Sequence, residues 1–122
     1  MNDIDIADDE LLMRRIDPEF VDEYGFTTQN FTNHEMSVDR CSMRTKEQCL
    51  EGYENHGLVV FSAKDARELG FEVYSDQRTY NLGHAIVKGT KTGAKKKKLK
   101  EKCKVICLPN VDENKDTKEV TS

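Results

Sequence analysis

Apolar residues along the chain gather in short runs separated by turn formers, and their period changes from segment to segment. Asn81-Leu82-Gly83-His84-Ala85-Ile86-Val87-Lys88 holds the clearest buried-strand pattern, with the strand at His84–Lys88 and Gly89 ending it. Leu58-Val59-Val60-Phe61 is continuously apolar, which predicts a strand covered on both faces. Met36-Ser37-Val38-Asp39-Arg40 and Phe71-Glu72-Val73-Tyr74 alternate, as half-buried strands do. Val105-Ile106-Cys107-Leu108 predicts a last strand, stopped by Pro109.

Helical signals lie between these runs. Asp9–Ile16 has acids at its start, arginines near its end, and Leu12 and Ile16 four apart, which predicts a short helix. Pro18–Tyr24 predicts a second, capped by Asp17 and ended by Gly25. Residues 25–35 read as a loop anchored by Phe26 and Phe31, and residues 75–82 as a polar loop. Thr45 and Gln48 have capping-box spacing and predict a helix to about Glu54. Ser62 caps a helix with Ala63, Ala66 and Leu69 inward and Gly70 at its end. Lys95–Lys104 predicts a lysine-rich helix held by Leu99 and Cys103. The expected fold is α+β, a small mixed sheet of about four or five strands with three to five short helices. One domain is expected over residues 9–109, between a disordered acidic segment 1–8 and a disordered polar tail 110–122.

Composition sharpens this picture in two ways. Of 122 residues, 36% are hydrophobic and 34% charged, so the apolar residues must be concentrated to build even a modest core. The formal net charge is −4, but it is segregated. Residues 1–24 hold nine acids against Arg14 and Arg15, whereas residues 88–104 hold nine lysines against Glu101. Such asymmetry suggests two faces or two partners, or a head that neutralises a tail. No apolar run approaches membrane-spanning length, and the acidic start does not have the form of a signal peptide, so the expected location is cytoplasmic. Cys41, Cys49, Cys103 and Cys107 are expected as reduced thiols. Their spacings, with His34, His56 and His84, do not match the short paired ligand spacings of zinc sites. No metal or cofactor is expected.

Three features could carry chemistry. His84, at a strand start beside Gly83, can serve as acid, base or ligand, or can fix the preceding loop through a backbone carbonyl. Asp39 and Arg40 could support it, although adjacent strand residues point to opposite faces. Arg14-Arg15 could clamp a phosphate or carboxylate, or could close a helix C-terminus. Lys91, Lys95, Lys96, Lys97, Lys98 and Lys100 form a basic segment suited to phosphate backbones or an acidic protein. That segment has no aromatic residue on which bases could stack. No glycine-rich phosphate loop or serine-hydrolase elbow occurs.

Arg14-Arg15-Ile16-Asp17-Pro18, Thr28-Gln29-Asn30-Phe31, Met36–Arg40, Gly70-Phe71-Glu72-Val73 and Asn81-Leu82-Gly83-His84-Ala85 follow one another in an order that resembles a group of small uncharacterised bacterial proteins. The resemblance spans residues 11–108, and Leu82-Gly83 stands where that pattern has Pro-Ala before the histidine. It implies a compact bacterial cytosolic domain and transfers no mechanism. The expected function is therefore a non-enzymatic accessory or adaptor domain of a bacterial complex, binding a partner protein. Two alternatives are a nucleic-acid contact module through segment 91–104 and a small nucleotide-handling enzyme centred on His84.

Overall fold

A computed structural model of the protein describes residues 6–23 and 25–109. The strands are β1 (Leu11–Ile16), β2 (Val21–Asp22), β3 (Gly25–Phe26), β4 (Glu35–Arg40), β5 (Gly57–Ser62), β6 (Glu72–Ser75), β7 (His84–Lys88) and β8 (Lys104–Cys107). The helices are α1 (Lys46–Leu50), α2 (Ala63–Glu68) and α3 (Gly93–Lys102), with 3-10 turns at Pro18–Phe20 and Thr28–Phe31. Six strands form one sheet in the order β6-β7-β4-β1-β5-β8, and β2 and β3 form a separate hairpin. The α+β class is as expected. The sheet has six strands rather than four or five, and each described ladder runs antiparallel rather than mixed.

The additional strand comes from the segment expected as the first helix. Leu11–Ile16 is β1, near the centre of the sheet, paired with β5 over its full length. Leu12 and Ile16 are four apart, a spacing common to one helical turn and to two strand steps. Both are buried on one face, while Met13 is buried on the other. A segment covered on both sides between two partners gains more as a strand than its end charges would give a helix. The second expected helix is reduced to the 3-10 turn at Pro18–Phe20, with Asp17 Oδ1 accepting from the Glu19 amide at 2.9 Å.

Other local signals hold. Thr45 and Gln48 make the reciprocal capping box, although α1 ends at Leu50 rather than near Glu54. Ser62 caps α2 and Thr92 caps α3, each through its hydroxyl. Segment 1–5 and tail 110–122 lie outside the described residues. Within the acidic segment, Ile6 is buried in the core and Asp8 pairs with Arg67 at 2.7 Å.

The two sheet faces are unequal. One carries Leu12, Ile16, Met36, Val38, Val59, Phe61, Ala85 and Val87. Ala63 and Ala66 of α2, Leu99 of α3, and the anchors Phe26 and Phe31 pack with them. The other face holds a smaller cluster of Met13, Leu58 and Cys49, with Leu50, Ile106 and Cys107 beside it. β8 closes one edge of the sheet and pairs only with β5, through a bulge between Leu58 and Val59.

Candidate functional site

His84 and Asp39 are cross-strand partners of β7 and β4, so their side chains leave the sheet on one face. They then take different partners. His84 Nδ1 lies 3.1 Å from the Asp76 carbonyl and 3.0 Å from Asp76 Oδ2. Both neighbours are acceptors, so Nδ1 carries the proton and donates. The Arg78 hydrogen bond holds the Asp76 carboxyl below its ordinary value, with His84 adding to the effect. Asp39 is buried, accepting from Asn81 Nδ2 at 2.7 Å and from the Cys49 thiol at 3.2 Å, with Arg15 at 3.8 Å. Burial first, and then the Asp39 charge, push the Cys49 pKa up to about 12, so it stays a thiol at neutral pH. Arg40 leaves the opposite face and meets Glu10 at 3.1 Å. His84, Asp39 and Arg40 are thus tied into separate contacts, and His84 fixes the loop before β7.

The lysines divide into two groups. Lys91 is turned inward and 9% exposed. Its ammonium donates to the carbonyls of His34 (2.9 Å), Val87 (3.0 Å) and Gly89 (2.8 Å), and lies 4.6 Å from the Phe71 ring centre. Burial, then the charges of Arg14 and Lys95, bring its pKa down to about 8. Lys91 therefore joins β7 to the loop before β4 and is withdrawn from the basic surface on which the sequence placed it.

Lys95, Lys96, Lys97, Lys98, Lys100 and Lys102 project from α3, against Glu101 alone. Lys97, Lys98 and Lys102 are exposed. Lys95 and Lys100 lie over the rings of Phe71 and Phe26, at 5.4 and 5.0 Å. Among the described residues none of these six lysines is in an ion pair. The first turn of α3 has no acid. A cation in that turn opposes the helix dipole, at about 0.3–1 kcal/mol at low ionic strength, whereas Lys100 and Lys102 in the last turn favour it. An open groove of about 660 Å³ separates Lys97, Lys100 and Glu101 from Asp22, Thr27 and Thr28.

Arg14 and Arg15 are not at a helix end, because the segment is β1. Arg14 donates to the carbonyls of Asn30 (3.0 Å) and Ser37 (3.0 Å) and to Asn33 Oδ1 (3.3 Å). Burial, then the Arg15 charge, pull its pKa down to about 10. Arg15 donates to the Cys49 carbonyl at 3.0 Å and lies 3.9 Å from the Tyr53 ring centre. Both line a cavity of about 250 Å³ with Gln29, Asn33 and His56. The sequence singles out the arginine pair and offers His56 only among candidate metal ligands; neither His56 nor Asn33 is joined to the arginines there, because their approach depends on distant segments.

No family model matches the chain, and no curated protein or solved structure matches it. No helix among the described residues is long and apolar enough to cross a membrane.

Proposed function

We propose that the chain is a non-enzymatic accessory domain that docks an acidic partner protein along α3 and the adjoining edge strand β8. The observation that carries this reading is the run of six α3 lysines that make no ion pair among the described residues. Cations without a counter-charge of their own suit a partner that supplies the opposite charge. β8 follows α3 directly and begins with exposed Lys104 and Val105, and Leu108 beyond it is 61% exposed. Its outer edge has no strand partner among the described residues. Open backbone, apolar side chains and neighbouring lysines together suit an extended acidic protein segment that adds a strand.

Nucleic acid fits the same charge less well, because α3 offers no aromatic platform and the whole chain is negative. An enzyme centred on His84 fits least, given the separate commitments of His84, Asp39 and Arg40.

The test is a photo-crosslinking residue placed at position 105 of the full chain, activated in extract of its source cell. The reading expects one discrete protein adduct, lost when K97E and K98E are combined. Adducts to nucleic acid alone, or a protein adduct indifferent to the lysine replacements, would refute it.

A further inference from the structure

We propose that the cavity beside Arg14 and Arg15 is a binding site for a compact phosphate-class anion, separate from the α3 surface. Three observations converge on it. First, the Arg14 guanidinium is part-buried, and its hydrogen-bond partners among the described residues are all neutral: two backbone carbonyls and an amide oxygen. Among the described residues it has no carboxylate partner. A part-buried cation whose partners are all neutral keeps a charge that an anion can compensate. A guanidinium has five N–H groups, and these contacts use one each on Nε, Nη1 and Nη2, which leaves two to donate.

Second, Arg15 reaches the same cavity from the other side of β1. Adjacent strand residues diverge, but β1 and β4 are in register only at Leu12↔Arg40 and Met13↔Asp39. Beyond that point Arg14 donates to the Ser37 carbonyl, and the cavity is walled by Arg14 and Arg15 of β1 with Phe20, Gln29 and Asn30 of the two 3-10 turns. Third, His56 lines the cavity, and its Nδ1 is buried with no hydrogen-bond partner among the described residues. Unsatisfied buried nitrogens are uncommon in folded proteins and call for a partner.

Donors that approach from both sides of a strand match the oxygens of a tetrahedral anion, whereas a planar carboxylate needs one fork only. At about 250 Å³ the space lies below the usual range for drug-sized ligands, so it admits a phosphate group with little attached. Asp17 also lines the cavity, but its carboxylate is engaged by the Glu19 amide, and two arginines outweigh it.

The experiment is calorimetric titration of the full chain with inorganic phosphate, comparing wild type, R15Q, H56A and the combined K97E and K98E variant. Thermal unfolding confirms that each variant is folded. R15Q and H56A are used because Arg14 is built into the fold through its three bonds. The proposal expects saturable one-site binding, weakened about tenfold or more by R15Q, weakened by H56A, and retained by the α3 variant. Absence of saturable binding in wild type would overturn it. So would binding lost in the α3 variant but untouched by R15Q and H56A. Since the α3 variant also serves the crosslinking test, failure of either idea leaves the other distinguishable.

Discussion

Replacing Lys91 by Met separates a lysine that builds the fold from one that serves a surface. Its ammonium makes three hydrogen bonds to backbone carbonyls, at 2.8–3.0 Å, that join positions 34, 87 and 89. Charge-assisted bonds are each worth about 1.5–3 kcal/mol, so the gross loss is about 5–9 kcal/mol. Methionine also removes an ammonium whose burial costs several kcal/mol, and it keeps the apolar stem against Phe71. The net destabilisation is on the order of 2–3 kcal/mol. Urea denaturation at neutral pH measures it. The pH dependence adds a second reading. The folded-state pKa of about 8 lies below the ordinary 10.5, so between those values the unfolded chain binds more protons. Stability from this group therefore rises as pH increases from about 8 to 10.5, and the penalty of charging it is fully present below 8. K91M should lack that alkaline gain. A K91M protein within about 0.5 kcal/mol of wild type, with the same pH profile, would refute the caged-ammonium account.

Glu10 offers the opposite pH test. Burial would raise its pKa, but hydrogen bonds from Ser42 and Arg40 outweigh burial and hold it below 4.5. Its contribution is thus present above 4.5 and lost as pH falls through the folded value, and E10Q should flatten that acid limb in thermal unfolding. Unchanged acid sensitivity in E10Q would count against the Glu10–Arg40–Ser42 cluster as a stabilising contact. Gly57→Ala places a Cβ 2.6 Å from the Cys107 carbonyl oxygen and 2.7 Å from Pro109 Cδ. It should cost about 1–3 kcal/mol and speed amide exchange in Lys104–Cys107, whereas unaltered exchange there would contradict the packing of β8 on β5.

What could be seen in the sequence was local. The Thr45–Gln48 box, the Ser62 cap and the runs at Leu58–Phe61 and His84–Lys88 depend on residues within a few positions, and they appear where expected. The opposite directions of Asp39 and Arg40 follow from the strand period alone. β1 carries a helical signature because the spacing of Leu12 and Ile16 suits either period, and only the neighbours β4 and β5 decide between them. Lys91 looked like surface because its acceptors at His34, Val87 and Gly89 include one 57 residues away. The arginine cavity needs the two 3-10 turns and His56 brought against β1, and no short motif records that arrangement.

The proposed role of α3 and β8 is tested most directly by the size of the native species in its own cell. Gentle lysates would be fractionated by size at low salt, for wild type and for the combined K97E and K98E variant. The account predicts that wild type migrates in a complex. That complex should dissociate at about 1 M salt, where charges are screened within about 3 Å. It also predicts that the charge-reversed variant, though folded, runs as the free chain. A wild type that migrates as a free monomer at low salt, or a complex that survives both treatments, would contradict it.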